Sequence, residues 1–370
     1  MMKRKLLIFH PALAPYRIDF FNAIDRAYDS SFYFYLKNVS DQKFDQDSQK
    51  KKCTFQCNYL LNGFELFGRS FRSGIFSIIR KRNPEIILCS EYGPVTLIVF
   101  IYKIFFKKKL RLYTISDDSI DNSKSRNGFR NLLRYVISKN IDGVIFPSKE
   151  VCNWYSENIS NKIRTFELPI IHNDLVFRDE LTKSLNIANR NLIKYNLFGK
   201  KVMLFVGRLV EVKNLPLFIK VVSQLKTVDW NLVIVGEGVL KNYLIDQVKT
   251  RNISDKTYFV GRQEGLELYS WYTFAQIFIL PSTYERFGAV VNEALLGGCK
   301  VLCSELAGAS TLINRDNGSS FDPYNEKEFF SRILNFLMEV EPLTGTILKI
   351  RESRMPFSFS EKVDILLNNL

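Results

Sequence analysis

Residues 275–302 read AQIFILPSTYERFGAVVNEALLGGCKVL, and this stretch decides the fold of the second half of the chain. The apolar run at 276–280 predicts a buried strand, and the segment at 289–298 predicts a helix that ends at two glycines. A buried strand, a loop and a helix in this order form the repeating unit of a parallel α/β sheet. The loop at 283–288 then lies at the carboxyl end of a strand, where such sheets bind ligands.

The same alternation of short apolar runs and longer segments of helical period extends through the whole chain, which is typical of parallel α/β layers. The predicted strands lie at 4–9, 31–36, 86–90, 111–115, 142–146, 201–206, 231–236, 257–260, 276–280 and 300–303. Because they form two sets with a polar segment between them, we predict an α/β protein with two Rossmann-like domains.

The domain bounds follow from length and composition. The chain has 370 residues, of which 46% are hydrophobic, and this is long enough for two separate cores. We predict an amino-terminal domain at 1–172, a linker at 173–198 and a carboxyl-terminal domain at 199–352. A last amphipathic helix within 353–370 is expected to pack back on the amino-terminal domain.

Two carboxylates bracket a predicted anion site in the opening stretch. Gly288 permits close approach of the backbone, and the helix after it directs free amides and its positive dipole end at the loop, which suits a phosphate. Glu293 lies about five residues into this helix, roughly 7 Å along its axis. That distance is comparable to the span from a diphosphate to a ribose. Glu285 and Glu293 therefore suit the sugar and the ribose of a nucleotide sugar.

A second loop, FVGRLVEVKN at 205–214, supports the same site. Gly207 is followed by Arg208 and Lys213 at the carboxyl end of the first strand of the second domain. The guanidinium offers forked hydrogen bonds and the ammonium a point charge, so together they form a diphosphate clamp. Both would stabilise the charge that develops on a departing nucleoside diphosphate. The alternative is that both are solvated loop cations.

The formal charge of +14 is concentrated in the first half of the chain. Residues 1–170 hold 28 Lys and Arg against 16 Asp and Glu, a balance of +12, and the rest hold 24 against 22, a balance of +2. Nucleic acid, phospholipid headgroups and a diphosphate-bearing acceptor would each suit this half. The segments at 71–82 and 101–111 interleave apolar residues with cations and suit an anionic membrane surface, with lysines 107–109 meeting headgroups. The alternative is two ordinary amphipathic helices.

The sequence also indicates a compartment. No apolar run reaches the 18 or so residues of a membrane-spanning helix, and the basic start precedes a short strand rather than a secretory signal. The six cysteines form no C-x-x-C pair, which favours free thiols. We therefore expect a cytoplasmic protein, with peripheral association at the inner face of the plasma membrane.

Four motifs resemble those of family 4 glycosyltransferases. They are G-R-x4-K-N at 207–214, VGEG at 235–238, VGR at 260–262 and E-R-F-G-x3-N-E at 285–293, which contains the E-x7-E pattern. The resemblance implies a retaining enzyme of the B-type glycosyltransferase fold, in which two Rossmann-like domains face each other across a cleft. It also implies a UDP-, GDP- or ADP-sugar donor, with no metal and no further cofactor.

By position, the resemblance also implies roles for individual residues. Arg208 and Lys213 would bind the diphosphate and assist catalysis, and Glu285 would face the donor sugar. The remaining donor-binding positions would be Gly207 at the first turn, Phe287 and Gly288 at phosphate, Glu293 at ribose, and Gly261 with Arg262 near the base.

The amino-terminal half departs from the family pattern. Many relatives place a histidine where this chain has Ser116, Asp117 and Asp118. Asp117 is our candidate for orienting the acceptor hydroxyl or the donor sugar, and the alternative is a helix cap or turn. Glu91 offers the same two interpretations.

Three further features of this half, two single residues and one short motif, lie near predicted strand ends or in charged segments. Arg17 and His10 are expected to face the cleft, with His10 a weaker catalytic candidate. Residues 45–47 spell D-x-D, a metal-binding pattern in another glycosyltransferase fold, but their charged surroundings favour a solvated loop.

These observations predict a glycosyltransferase that moves a sugar from a nucleotide sugar to a glycan or lipid-linked acceptor in bacterial surface polysaccharide synthesis. A nucleotide-sugar epimerase or a phosphorylase on the same fold is the alternative among enzymes. A nucleic-acid-binding protein would need aromatic platforms or a reading helix, and we expect no nucleic acid partner. A Rossmann oxidoreductase would need a complete G-x-G-x-x-G, which this chain lacks.

Overall fold

The computed structural model describes residues 3–38, 44–118, 120–125, 128–343 and 348–370. The chain divides into two compact units. The amino-terminal unit comprises Met1–Ile170 and Phe359–Leu370, and the carboxyl-terminal unit comprises Ile171–Ser358.

The amino-terminal unit is built on a parallel sheet. Its strands are β1 (Lys5–His10), β2 (Asp29–Phe34), β3 (Cys57–Tyr59), β4 (Gly63–Leu66), β5 (Arg69–Arg72), β6 (Ile86–Ser90), β7 (Arg111–Ile115), β8 (Gly143–Phe146) and β9 (Thr165–Glu167). Its helices before residue 170 are α1 (Pro15–Ala27), α2 (Gln46–Lys51), α3 (Ile75–Arg82), α4 (Pro94–Phe106), α5 (Ile120–Ser125), α6 (Phe129–Ser138) and α7 (Lys149–Asn158). Seven strands form the sheet in the order β3-β2-β1-β6-β7-β8-β9, and β4 and β5 form a separate antiparallel hairpin.

Burial explains why these segments are strands. Every residue of β6 and β8 is buried, because helices cover both faces of a parallel sheet and leave no solvated side. β1 lies in the interior of the sheet, between β2 and the central strand β6, with Leu7 opposite Ile87. The apolar side chains of β1, β6, β7 and β8 pack with those of α3, α4 and α7 into one core.

The carboxyl-terminal unit has the same construction. Its strands are β10 (Val202–Val206), β11 (Asn231–Val235), β12 (Thr257–Gly261), β13 (Ile277–Leu280), β14 (Lys300–Ser304) and β15 (Gly318–Phe321), in the spatial order β12-β11-β10-β13-β14-β15. Its helices are α8 (Asp174–Lys183), α9 (Leu185–Lys194), α10 (Leu215–Val222), α11 (Lys241–Thr250), α12 (Gly265–Tyr272), α13 (Ala289–Leu296) and α14 (Glu326–Glu339). Short 3₁₀ helices form at Glu211–Lys213 and Gly308–Leu312.

All ten predicted strands are present, with bounds that agree to within two residues. The strands that the sequence did not indicate are β3, β4, β5, β9 and β15. They have three or four residues each, and only β15 contains a fully buried side chain, at Phe321. A strand of this length without a continuous apolar run has no periodic signal to distinguish it from a loop.

The segment 173–198, expected to be a linker, forms α8 and α9 within the carboxyl-terminal unit. Both helices pack against α12, and they bury Phe177 and Leu192. The helical periodicity of the segment is weak because only one narrow stripe of each helix is apolar. The sequence therefore did not indicate that the segment packs against α12.

The last helix, α15 (Phe359–Leu367), lies in the amino-terminal unit. The Tyr28 hydroxyl donates to the Leu367 carbonyl at 2.7 Å, and Arg111 donates to the Leu370 carbonyl at 2.7 Å. Val363 and Leu366 are buried beside them. The chain therefore crosses into the carboxyl-terminal unit and returns to complete the amino-terminal one.

The longest candidate in the sequence for an apolar run, PVTLIVFIYKIFF at 94–106, forms α4. This helix has 13 residues and buries Val95, Val99 and Lys103. Among the described residues, no helix combines the length and the apolar character that crossing a membrane requires.

Candidate active site

Two neighbouring strands of the carboxyl-terminal unit end beside a charged pair. β10 pairs with β13, with Leu204 opposite Phe278. The loop after β13 is tied to the 3₁₀ helix after β10, because the Thr283 amide donates to the Val212 carbonyl at 2.9 Å. This places the Lys213 ammonium in direct contact with the Glu285 carboxylate.

The Lys213–Glu285 pair is largely withdrawn from water. The exposed fractions of the two side chains are 10% and 22%. A half-buried ion pair interacts more strongly than an exposed one, since the surrounding protein screens the charges less than water does. Burial, together with the nearby Glu285 carboxylate, raises the pKa of the Cys303 thiol, so that thiol stays protonated beneath the pair.

The backbone around Glu285 is fixed on both sides. Glu285 forms a parallel β-bridge with Ala307, and the buried Phe287 accepts a hydrogen bond from the Ala309 amide at 2.7 Å. Gly288 then adopts a left-handed conformation, with φ of 96°. A Cβ at Gly288 would lie 2.9 Å from the Leu280 side chain, so a larger residue would displace the loop. α13 starts at the next residue, and its first amides have no acceptor within the helix.

Glycines bring the ends of β10, β11 and β12 into one continuous backbone surface. The Gly207 amide donates to the Val235 carbonyl at 3.0 Å, and the Gly236 amide donates to the Gly261 carbonyl at 2.9 Å. A Cβ on Gly236 would lie 1.8 Å from the Gly207 carbonyl oxygen, which no side chain allows. Gly236, the first glycine of VGEG, is therefore required by this contact between two strand ends.

Arg208 lies exposed at the edge of this surface. In the part of the chain that the structure describes, its guanidinium makes no side-chain hydrogen bond or ion pair. Arg262, at the end of β12, is also exposed, but it forms an ion pair with Glu264. A Cβ on Gly261 would lie 3.3 Å from a carboxylate oxygen of Glu237, so that carboxylate closely approaches the β12 end.

Glu293 occupies a separate, well-ordered position on α13. The Tyr272 hydroxyl donates to Glu293 Oε2 at 2.8 Å, and His172 Nε2 lies 3.4 Å from Glu293 Oε1. Burial, reinforced by the Glu293 charge, raises the pKa of Tyr272, so the phenol remains a donor. The side chain of Glu293 retains 12% exposure.

His172 is held in place from two directions. Its amide donates to Asn292 Oδ1 at 2.9 Å, and its ring stacks on Phe177 with centroids 5.0 Å apart. The sequence predicts a structural rather than a catalytic role for His172, and it indicates no role for Tyr272. Tyr272 is 21 residues from Glu293 along the chain, and only the packing of α12 against α13 brings the two together.

A second charged cluster lies at the carboxyl edge of the sheet in the amino-terminal unit. Arg17 forms an ion pair with Asp117, the candidate named from the sequence, and is only 2% exposed. The Asp117 amide donates to Glu91 Oε1 at 3.1 Å, and the Ser116 hydroxyl donates to Glu91 Oε2 at 3.2 Å. The same hydroxyl oxygen lies 3.1 Å from Asp118 Oδ2, so its single proton is shared between the two carboxylates. The ends of β6 and β7 thus bring together three carboxylates, one of which, Asp117, pairs with the buried Arg17 guanidinium.

His10 lies at the end of β1 and is buried between the rings of Phe21 and Phe34. Burial, reinforced by the Arg17 charge and opposed by Asp117 and the Ala12 carbonyl, lowers the pKa of His10 to about 4. His10 is therefore neutral at pH 7. A buried neutral imidazole of this kind serves packing better than acid catalysis.

We expect the stability of the protein to fall as the pH decreases from about 6.5 to about 4. The unfolded state binds a proton at His10 near pH 6.5, whereas the folded state resists it down to about pH 4. His10 then contributes at most about 3 kcal/mol to the free energy of unfolding above pH 6.5, and this contribution is lost at pH 4. Urea unfolding of the wild type and of His10→Asn at pH 5 and pH 7 measures the contribution. Equal losses of stability in both proteins would contradict it.

The D-x-D segment at 45–47 begins a helix. Asp45 caps α2, since its carboxylate accepts hydrogen bonds from the amides of Asp47 and Ser48, each at 3.1 Å. The loop that we expected there is thus a helix amino end. Across the described ranges, no three His, Cys, Asp or Glu side chains cluster closely enough to hold a metal ion.

Two parallel α/β units of this construction are the architecture of the B-type glycosyltransferase fold. Among solved structures, HepE of Anabaena in complex with UDP aligns with a TM-score of 0.70 at 14% identity. The alignment covers 99% of this chain and 97% of that one. This likeness confirms the predicted fold class.

Sequence comparisons find similarity to glycosyltransferases. Residues 190–344 match the family model described as Glycosyl transferases group 1. The chain is 27% identical over 267 residues to the N-acetylgalactosamine-N,N'-diacetylbacillosaminyl-diphospho-undecaprenol 4-alpha-N-acetylgalactosaminyltransferase of Campylobacter jejuni, covering 68% of this chain and 69% of that protein. It is 34% identical over 213 residues to an uncharacterized glycosyltransferase of Methanocaldococcus jannaschii, covering 55% and 52%. These matches support a glycosyltransferase, with residues 190–344 similar to group 1 domains.

Proposed function

We propose that the chain transfers a sugar from a nucleoside diphosphate sugar to an acceptor hydroxyl, with retention of the anomeric configuration. The observation that carries this proposal is the contact of Lys213 with Glu285 at the adjoining ends of β10 and β13, beside the first amides of α13. A cation, a carboxylate and free amides at one edge of a parallel sheet suit the diphosphate and the sugar of such a donor.

The diphosphate would bind between Lys213, Arg208 and the amides that follow Gly288. As the bond from the sugar to the diphosphate breaks, negative charge grows on the departing nucleoside diphosphate, and preorganised cations and amides stabilise that charge. Since two cations and a helix amino end already neutralise it, we propose that the reaction requires no metal ion.

Glu285 would change partners when the donor binds. In the free protein its carboxylate neutralises Lys213. A diphosphate next to Lys213 supplies a competing anion, which leaves the carboxylate free to accept hydrogen bonds from sugar hydroxyls. Glu293, oriented by Tyr272, would accept from the ribose hydroxyls. Gly261 and Arg262 would lie near the base, which extends the site along the sheet edge from β13 to β12.

The acceptor would be a lipid-linked glycan intermediate of bacterial surface polysaccharide synthesis. The name of the Campylobacter relative includes a diphospho-undecaprenol-linked sugar, which supports this class of acceptor. Asp117, held by Arg17, is the proposed group that orients the acceptor hydroxyl. The motif resemblance to retaining family 4 enzymes supports retention.

A donor screen tests the proposal. Thermal unfolding is followed with UDP, GDP and ADP, and hydrolysis of the corresponding sugar nucleotides is measured with EDTA present. One nucleotide, at 100 times its Kd, is expected to stabilise the folded state by about 2.7 kcal/mol, which raises the Tm by roughly 5 °C or more. The absence of a shift with all three nucleotides would refute donor binding. Loss of turnover with EDTA would refute the metal-independent mechanism alone.

A further inference from the structure

One surface of the amino-terminal unit combines exposed aromatic side chains with cations. It consists of the hairpin β4–β5 and the helices α3 and α4, which pack against one another, and we call it the basic-aromatic face. Its most exposed apolar side chains, each at least 47% exposed, are Phe64, Leu66, Phe67, Phe105 and Phe106. Several large apolar side chains exposed on packed neighbouring elements indicate a contact with another molecule.

The hairpin presents a phenylalanine at its tip. Phe67 is 92% exposed and has a φ of 48°, a left-handed conformation that bulky residues seldom adopt. The hairpin below it is braced by the stacked rings of Phe64 and Phe71, with centroids 5.1 Å apart. The strained backbone at Phe67 is not compensated by packing of its side chain within the protein.

The carboxyl end of α4 presents two more phenylalanines. Phe105 is 75% exposed and Phe106 is 67% exposed. The ring of Phe106 lies 5.4 Å from that of Tyr102 and 5.7 Å from that of Phe76, so its position on the surface is fixed by neighbouring rings. This end of the helix therefore forms a preorganised apolar patch.

Cations surround the apolar patch. Arg80, Lys81 and Arg82 are exposed at the end of α3, and Lys108 and Lys109 are exposed after α4. These five residues form the positive rim of the face.

The third lysine that we expected to meet headgroups, Lys107, is engaged within the protein. It donates to Asn83 Oδ1 at 2.6 Å and to the Pro84 carbonyl at 2.7 Å. Desolvation correspondingly lowers its pKa. Its role is to join the end of α4 to the end of α3.

The acidic residues at this surface are paired. Glu65 lies 3.5 Å from Arg72, and Glu85 lies 3.7 Å from Arg4. These carboxylates therefore do not neutralise the rim cations, and the basic-aromatic face carries a net positive charge.

We propose that the basic-aromatic face binds an anionic lipid bilayer, with Phe67, Phe105 and Phe106 entering the headgroup region and the five rim cations contacting lipid phosphates. Aromatic rings gain from burial at the boundary of the acyl chains, and each cation near the surface adds attraction to anionic lipid. The proposal depends on this surface of the amino-terminal unit and not on the proposed enzymatic function.

Flotation of the full chain with two kinds of vesicle tests this proposal. One kind contains phosphatidylcholine alone, and in the other about one third of the lipid is phosphatidylglycerol. The wild type is expected to float only with the anionic vesicles. The variants F105S/F106S and K108E/K109E are each expected to bind roughly tenfold more weakly.

Matched variants on the carboxyl-terminal unit control for hydrophobicity and net charge. I193S/M338S removes two apolar side chains that are 70% and 68% exposed, and K226E/K327E changes the net charge by the same amount as K108E/K109E. Both controls are expected to bind as the wild type does. Equal binding to both vesicles, no binding, or equal losses in the controls would overturn the proposal.

Two further measurements separate this proposal from its alternatives. Donor hydrolysis in the absence of lipid is expected to be unchanged in F105S/F106S, so a failure of lipid binding and a failure of the proposed function are distinguishable. Light scattering in solution measures the oligomeric state. If the wild type is dimeric, F105S/F106S is monomeric and neither binds vesicles, the face is an interface between copies of the chain and the proposal is wrong.

Discussion

Replacing Lys213 with alanine is expected to lower the rate of sugar transfer by roughly 10²–10³-fold, the usual cost of removing one group that stabilises developing negative charge. Lys213 is the buried cation of the carboxyl-terminal site, and its ammonium is fixed by Glu285 before any donor arrives. A preorganised charge need not be reoriented as the nucleoside diphosphate departs, so its full effect is felt in the transition state. Steady-state kinetics with the donor identified by the screen measure the loss.

The same substitution also has a structural cost. Without Lys213, the Glu285 carboxylate remains half-buried without its partner, which costs about 1–3 kcal/mol and lowers the Tm by several degrees. The kinetics must therefore be measured well below the Tm of the variant. Lys220→Ala is the matched control, because Lys220 pairs with Glu326 in the same unit but at an exposed position. Full activity of Lys213→Ala would contradict the diphosphate assignment.

Arg208→Ala is expected to lower transfer by roughly 10²-fold without changing the Tm. Its guanidinium is exposed and, among the described residues, has no hydrogen-bonding or ionic partner, so the folded state without donor loses nothing when it is removed. Its forked donors act only when a diphosphate is bound. This separation of activity from stability distinguishes Arg208 from Lys213, and it requires kinetics and thermal unfolding on the same samples.

Two further variants sharpen the result for Arg208. Arg208→Lys keeps the charge but loses the planar fork, and it is expected to recover only part of the activity. Arg315→Ala removes another exposed arginine of the same unit and should be unchanged. If Arg208→Ala retained both its turnover and the thermal shift with the preferred nucleotide, Arg208 would be an ordinary solvated loop cation.

Much of the fold could be predicted from apolar runs and loop residues. Runs such as 86–90 and 231–235 are apolar at nearly every position, because a strand of a parallel sheet is buried on both faces and must be apolar on both. The exposed hairpin β4–β5 and the short edge strands β3, β9 and β15 carry no such constraint, and the sequence did not indicate them. Of the two helices at 173–198, the sequence predicts a helix at NRNLIKYNL (189–197), which overlaps α9, but it did not indicate α8, whose buried stripe is narrow.

The sequence by itself determined which residues end the strands, because a glycine or a charge after an apolar run can be seen without any partner. Only the tertiary structure decided which of these residues meet. Lys213 and Glu285 are 72 residues apart, and Arg17 and Asp117 are 100 apart. Each contact exists because the order of strands in the sheet sets β10 beside β13, or gathers the ends of β1, β6 and β7. Strand order depends on long-range packing and crossover connections, and no local pattern of residues specifies it.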